Sequence, residues 1–241
     1  MDERPLHAPL FAQFWRASEI NPTRAEMLRE SVESDATQDQ QPVRPRFVHA
    51  AAPLPPASPV VSRPWAERRS VRQFSQRAVG LQQLSDLLWP LSARADGHRP
   101  LASGGGKYPL LVHVLALRVG AESPFVAWYD PQAHGLTRLP GPLVWAQLAP
   151  VLGIGGSMPA AVLVITAQPE GHFRKYGERG GRFALLEAGS YLGALQHETA
   201  RDGLGGLVIG AYDDRRLLQI LGPHAQGQLA MTAYAFGYED P

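Results

Sequence analysis

A cluster of arginines early in the chain has the residue types that bind a phosphate. Arg68, Arg69 and Arg72 lie within five residues of one another, together with Ser70. Guanidinium groups bind phosphate oxygens through paired hydrogen bonds, and a serine hydroxyl can add another. Composition alone favours a solvated basic patch. A nucleic-acid site is less favoured, because the net charge is only +1 and no aromatic residues alternate with these arginines.

A glycine-rich segment at residues 103–107 is the second candidate. Its sequence, SGGGK, comes directly before a predicted strand. Backbone N–H groups of such a loop can bind a phosphate or the polar edge of a ring. The segment is not a Walker A loop, because Tyr108 stands where Ser or Thr is required and a strand follows instead of a helix. Taken by itself, the pattern is typical of an ordinary turn.

Other kinds of site find no support in the sequence. The chain has no cysteine, and its eight histidines never fall at ligand spacing, so we expect no metal site. No nucleophile elbow and no dinucleotide-binding glycine motif are present. No apolar run is long enough to span a bilayer, and no apolar stretch follows the first residues. We expect a soluble cytoplasmic protein that binds neither nucleic acid nor membrane.

The pattern divides the chain into an N-terminal arm, residues 1–62, and one globular domain, residues 63–241. Two short amphipathic helices are predicted in the arm, at residues 11–20 and 23–32. The segment that follows is rich in Pro, Gln and Ala, which predicts a linker or an extended arm lying on a partner. The aromatic residues Phe11, Phe14, Trp15 and Phe47 favour the arm.

In the domain, helices and short strands alternate irregularly, and one pair of strands forms a hairpin. This order favours an α+β fold over a doubly wound parallel sheet. Strands are predicted at residues 110–117, 125–129, 136–139, 160–166, 207–209 and 231–237. Helices are predicted at residues 81–91, 144–152, 182–202 and 215–221.

The helix at residues 182–202 is apolar or small nearly all round, which predicts that it lies in an interior or an interface. Residues 175–181 are polar and glycine-rich, and they are predicted as a loop before it. We expect the helix to end at Asp202, with Gly203 in a left-handed conformation. Asp213 or Asp214 should cap the next helix.

Four motifs, taken in order, resemble the nitroreductase family. They are Arg68-Arg69-Ser70-x-Arg72-x-Phe74, the Ser-Gly loop ending at Tyr108-Pro109, RFALLEAG at residues 182–189 and VIGAYDD at residues 208–214. The resemblance covers about residues 63–237 and is strongest to the SagB-type dehydrogenases that work with peptide cyclodehydratases. It implies an α+β homodimer in which a mixed or antiparallel sheet packs with helices around a long central helix. It also implies FMN bound at the subunit interface.

The resemblance further implies a role for each motif. The FMN phosphate would be held by Arg68, Ser70 and Arg72, with Arg69 near the pyrimidine ring. Ser103, Gly104 and Gly105 would contact the flavin from its other side. The backbone N–H of Gly210 or Ala211 would face N5, and a glycine there permits close approach of the backbone.

Lys175 and Tyr176 are the catalytic candidates, because azoline-oxidising members of the family carry a Lys-Tyr pair at this point. Aromatising an azoline removes a proton and a hydride, so a base is needed. A lysine can serve when burial or a neighbouring cation favours its neutral form, and Arg174 and Arg179 would be such cations. Tyr176 could hydrogen-bond the ring nitrogen or share the proton.

The chain also departs from the family pattern. Gly193-Ala194 replaces the usual Gln-Asn pair, Ser190 stands where His is common, and the C-terminus is acidic. Three functions stay open. The first is FMN-dependent oxidation of a peptide-derived thiazoline or oxazoline to an azole, in natural-product biosynthesis. The second is NAD(P)H-dependent reduction of nitro compounds or quinones. The third is a non-catalytic scaffold of the same fold that docks a cyclodehydratase or carrier partner.

Overall fold

A computed structural model of the protein describes residues 8–36 and 55–240. Within these residues, no helix is both long and apolar enough to cross a bilayer.

The described chain contains a six-stranded antiparallel sheet with the strand order β3-β2-β1-β4-β6-β5. Every residue of β4, at the centre, is buried, as its continuous apolar run predicts. All six predicted strands are confirmed. Their bounds are β1 Leu110–Ala116, β2 Phe125–Asp130, β3 Gly135–Leu139, β4 Ala161–Ala167, β5 Gly205–Ile209 and β6 Leu229–Gly237.

Helices cover both faces of this sheet. Side chains of β4 alternate between two cores: Leu163 packs with α4 (Leu81–Leu88) and α7 (Arg179–Arg201), and Val164 packs with α5 (Trp145–Val151) and α8 (Asp214–Leu221). The predicted α+β fold is confirmed. The helices are α1 Pro9–Ser18, α2 Pro22–Ala36, α3 Pro59–Glu67, α4 Leu81–Leu88, α5 Trp145–Val151, α6 Glu170–Tyr176, α7 Arg179–Arg201 and α8 Asp214–Leu221.

The predicted loop at residues 175–181 is wrong. Lys175 and Tyr176 end α6, and α7 begins at Arg179, so only Gly177 and Glu178 separate the two helices. The two glycines at the start of α7 serve packing instead of a turn. A Cβ on Gly180 would lie 2.7 Å from the backbone carbonyl carbon of His172, and one on Gly181 would overlap the ring of Phe11.

The other end of α7 is as predicted. Gly203 follows the helix with φ +68°. Asp213 caps α8, where its Oδ1 accepts a hydrogen bond from the backbone N–H of Arg216 (3.1 Å). Within this single chain α7 leaves two leucines in solvent, since Leu185 is 41% and Leu186 is 70% exposed.

The two helices predicted in the arm are confirmed, and α1 is docked on its own chain. The backbone N–H groups of Leu10 and Phe11 donate to the carboxylate of Glu178 (2.9 and 2.7 Å). After α1, the N–H of Ile20 donates to Oδ2 of Asp214 (2.9 Å). Helix α1 therefore joins the start of α7 to the start of α8. Phe47 and most of the Pro-, Gln- and Ala-rich segment lie outside the described residues.

Candidate active site

The predicted site residues form two groups. The first, which we call the lysine group, contains Ser103, Gly104, Gly105, Lys175 and Tyr176. The second, which we call the arginine group, contains Arg68, Arg69, Ser70, Arg72, Gly210 and Ala211.

The lysine group is joined by a direct contact between α6 and the glycine-rich segment at residues 103–107, which we call the glycine loop. Gly105 has φ +62°, and a Cβ built on it would lie 2.6 Å from Nζ of Lys175 and would overlap Oη of Tyr176. Nζ of Lys175 lies 5.2 Å from the centre of the Tyr176 ring. That ring in turn meets Phe183 edge-on, with centroids 5.0 Å apart. The amine and the phenol therefore lie over the backbone of Gly105, where a side chain on the loop would displace them.

Two buried side chains hold the loop beneath this pair. The N–H of Gly104 donates to Oε1 of Glu187 (2.8 Å), and the carbonyl of Gly104 accepts from Nε2 of His172 (2.9 Å). Ser103 Oγ accepts from the N–H of Tyr108 (2.8 Å), which leaves the serine proton available to a ligand. Sequence reasoning missed both His172 and Glu187. The available signal was a carboxylate on a helix predicted to be buried, since a buried charge needs a partner.

The arginine group is built on β5. Ser70 pairs with Gly206 in a parallel bridge, and the N–H of Val71 donates to the Gly206 carbonyl (3.0 Å). A Cβ on Gly205 would lie 2.5 Å from Val71, and one on Gly206 would overlap the Tyr234 hydroxyl. These glycines therefore permit the close approach that aligns residues 68–72 with one end of β5.

The charges of the arginine group are unequally satisfied. No carboxylate of the described chain pairs with Arg68 or Arg72, and both are exposed. Arg69 forms an ion pair with Glu239, with Nε 3.3 Å from Oε1. Hydrogen bonding across this pair raises the pKa of Arg69 and lowers the pKa of Glu239. Two guanidinium groups without a carboxylate partner in the described chain, each two residues from Ser70 in sequence, are a donor set that fits a phosphate.

Just beyond the other end of β5, the backbone is open. Gly210 and Ala211 are exposed, and, its chain neighbours aside, no atom of the described residues lies within 4 Å of a Cβ built on Gly210. A flat ligand can therefore approach this backbone closely. Ala211 also borders a cleft of about 650 Å³ whose opposite wall is α2 of the arm. Among residues 8–36 and 55–240, no cluster of His, Asp and Glu side chains could hold a metal ion.

Comparisons with known proteins agree with this architecture. The model of the nitroreductase family matches residues 65–238. A protein of Methanocaldococcus jannaschii that is named as a nitroreductase is 30% identical over 159 residues, which cover 64% of this chain and 80% of that protein. A structure from Ralstonia eutropha, titled as a nitroreductase, superposes with a TM-score of 0.64 at 22% identity, covering 83% of this chain and 88% of that one.

A second solved structure resembles more of the chain. It is a chain of the Escherichia coli microcin synthetase complex McbBCD, solved with truncated pro-MccB17 bound. The TM-score is 0.66 at 19% identity, covering 93% of this chain and 96% of that one. Residues 63–241 make up about three quarters of the sequence, so this likeness of fold includes part of the arm.

The family model spans the sheet, the long helix, the glycine loop and both groups of site residues. The chain belongs to the nitroreductase family.

Proposed function

We propose that the protein is an FMN-dependent oxidoreductase that dehydrogenates a peptide-derived thiazoline or oxazoline to the azole. The observation that carries this proposal is the position of Lys175 and Tyr176 over Gly105. This arrangement supplies an amine and a hydroxyl beside a loop that the family resemblance assigns to the flavin.

The arginine group would bind the cofactor. Arg68 and Arg72 would hold the FMN phosphate together with the Ser70 hydroxyl, because these guanidinium groups are exposed and unpaired within the described chain. The N–H of Gly210 or Ala211 would donate to N5, and Ser103 and the backbone of the glycine loop would contact the flavin from its other side. Arg69 would meet the pyrimidine ring only by sharing or leaving its carboxylate partner.

The reaction removes a proton from one carbon of the azoline ring and a hydride from its neighbour, and a carbon–carbon double bond forms. FMN, when bound, would supply the acceptor for the hydride, with an external oxidant such as dioxygen as the final electron acceptor. Lys175 would take the proton on Nζ. Tyr176 would donate a hydrogen bond to the ring nitrogen and so stabilise the negative charge that develops there.

The distribution of basic residues supports this role for Lys175. The chain has 23 lysines and arginines, of which only Lys107 and Lys175 are lysines. Lys107 belongs to the glycine loop itself, whereas Lys175 has its Nζ 2.6 Å from a Cβ built on Gly105. An arginine stays protonated in proteins and cannot act as a base, whereas a lysine can. Lys175 is therefore the amine placed to remove a proton at this site.

The comparison with the microcin synthetase supports a peptide substrate. That complex carries a peptide precursor, pro-MccB17, and the likeness of fold extends into the arm. In this chain the arm forms one wall of the cleft at Ala211. A cyclodehydratase is the partner we propose, because an azoline must be formed before it can be oxidised.

We also propose that the protein is a homodimer joined through α7. Leu185 and Leu186 are exposed on this helix, and an exposed apolar face is typical of an interaction site. Gly193 lies further along the same helix, and no atom lies within 4 Å of a Cβ built on it. An arginine at Gly193 should turn a dimer into a monomer in light scattering. A wild-type protein that is monomeric at micromolar concentration would contradict this interface.

A second candidate function is reduction of nitro compounds or quinones with NAD(P)H, which the family and the name of the Methanocaldococcus relative favour.

An anaerobic experiment separates the candidate functions. Purified protein carrying FMN is mixed with a thiazoline peptide or with NADPH, and the visible flavin absorbance is followed. We expect bleaching by the azoline peptide. Bleaching by NADPH alone would support the reductase, and a protein that binds no FMN would support the scaffold.

A further inference from the structure

Two side chains outside the predicted site hold both backbone polar groups of Gly104. Glu187 accepts the N–H and His172 donates to the carbonyl, across 83 and 68 residues of sequence. We infer that Glu187 and His172 are positioning residues that clamp Gly104 and thereby hold Gly105 against Lys175 and Tyr176. This inference deepens the proposed function and rests on it.

Both side chains of the clamp are buried. Glu187 is only 7% exposed and His172 is completely buried. A buried carboxylate is costly unless hydrogen bonds satisfy it, and Oε1 of Glu187 has the N–H of Gly104 at 2.8 Å and Nε2 of His172 at 3.4 Å. The carbonyl of Gly104 can only accept, so His172 carries a proton on Nε2. Nδ1 of His172 has no hydrogen-bond partner in the described chain.

Close packing transmits the clamp to the lysine. A Cβ on Gly104 would lie 3.2 Å from Nε2 of His172 and 3.1 Å from the ring of Phe183. On the opposite side, the backbone of His172 packs directly on Gly180. His172 and Lys175 lie three residues apart on α6, hence about one turn apart. The same turn of α6 therefore carries both the side chain that binds Gly104 and the amine that lies over Gly105.

The activity test compares three variants of the FMN-loaded protein in anaerobic single turnover with a thiazoline peptide. Glu187→Ala removes the acceptor for Gly104, and we expect the rate to fall by about 10²-fold, the usual cost of a small misplacement. Glu187→Gln keeps an oxygen acceptor and should stay within about threefold of wild type. FMN affinity should change little in either. Thr199→Val is the matched control, since Thr199 is buried on α7 and its hydroxyl bonds within the helix.

A second measurement needs no substrate. The chain has only two lysines, so protein made with isotope-labelled lysine gives two side-chain NMR signals, which Lys107→Arg assigns. In Glu187→Ala the Lys175 signal should move towards that of Lys107, and in Glu187→Gln it should stay in place. A Lys175 signal that does not move in Glu187→Ala overturns the clamp, because a merely structural role would leave the lysine where it is.

The two measurements separate the clamp from the proposed function. If the Lys175 signal moves but even wild type shows no bleaching by the azoline peptide, the clamp stands and the proposed function fails.

If Glu187→Ala does not fold, His172→Phe keeps a ring of similar volume and removes the bond to the Gly104 carbonyl. We then expect the Lys175 signal to shift and the rate to fall about tenfold. An unchanged signal and rate in that variant would overturn the inference.

Discussion

The lysine group and the arginine group differ in what satisfies their polar atoms. In the lysine group the chain itself satisfies the backbone of the loop, since Gly104 has both polar groups bonded to buried side chains, while the side chain of Lys175 is exposed. In the arginine group, Arg68 and Arg72 have no carboxylate partner among the described residues, and the backbone at Gly210 is open. The loop of the first group is thus held in place before a ligand arrives, whereas Arg68 and Arg72 of the second group are exposed and remain available to an anionic ligand. Changes in the lysine group should slow the reaction, and changes in the arginine group should weaken binding.

Within the glycine loop, the largest effect on rate should come from Gly105→Ala. The new methyl group would occupy the space of the Lys175 amine and the Tyr176 hydroxyl. The side chains of Lys175 and Tyr176 should move aside, so the protein should still fold. Because the amine is then misplaced, we expect the rate of azoline oxidation to fall by about 10²-fold or more. Single-turnover flavin bleaching measures this rate.

Gly106→Ala is the matched control for that change. Gly106 has φ +66°, so the backbone strain is similar, but no atom lies within 4 Å of a Cβ built there. Equal losses in the two variants would mean that strain in the loop, and not displacement of the lysine, slows the reaction.

A smaller effect, on binding instead of rate, is expected from Arg72→Ala. A charge-assisted hydrogen bond is worth about 1.5–3 kcal/mol, so FMN affinity should fall by about tenfold or more. Arg69→Ala should cost less, because Arg69 already has Glu239 as its partner. Fluorescence titration of the flavin-free protein compares the two. Undiminished affinity in Arg72→Ala would remove Arg72 from the phosphate site.

His113 lies outside both groups and should affect stability without affecting the rate. It is buried on β1 within hydrogen-bond distance of Thr166 and Gln228, and burial lowers its pKa to about 4. An unfolded chain has a histidine pKa near 6.5, so it takes up the proton first as the pH falls. Stability is therefore full above about pH 6.5 and is lost as the pH falls towards 4. Between about pH 7 and about pH 5 we expect a loss of about 2 kcal/mol.

Urea unfolding at the two pH values measures that loss. His113→Gln keeps a polar side chain that does not titrate, so this contribution to the pH dependence should disappear. His224→Gln should reduce the loss only slightly, because His224 is exposed and burial, not its charge, is the main cause of the low pKa of His113. A loss that persists in His113→Gln would assign the effect to other groups.

Much of the fold could be predicted from local pattern. Apolar runs located all six strands, and Gly203 and Asp213 marked helix ends because their roles are local. The start of α7 could not be predicted in this way. Gly180 and Gly181 have the composition of a loop, but they lie in a helix because His172 and Phe11 pack against them. Such contacts join distant parts of the chain and leave no local signature.

The sequence predicted less of the site than of the fold. Nothing in the spacing of residues 103–107 and 175–176 indicates that they meet, and only the family resemblance linked them. The contact of Gly105 with Lys175 agrees with that link. The clamp by Glu187 and His172 gave no motif, since each is a single polar residue in an apolar surrounding. The pairing of Arg69 with Glu239 likewise depends on a contact between distant segments, the antiparallel bridge between Phe74 and Glu239.

The central claim is that Lys175 removes the proton, and the two lysines of the chain allow a direct test. Lys175→Ala and Lys107→Ala are compared with wild type in anaerobic single turnover with a thiazoline peptide, each loaded with FMN. We expect Lys175→Ala to keep its FMN and to bleach about 10²–10⁴-fold more slowly, the usual contribution of a positioned base. Lys107→Ala should bleach at nearly the wild-type rate. Equal rates in Lys175→Ala and wild type would contradict the account.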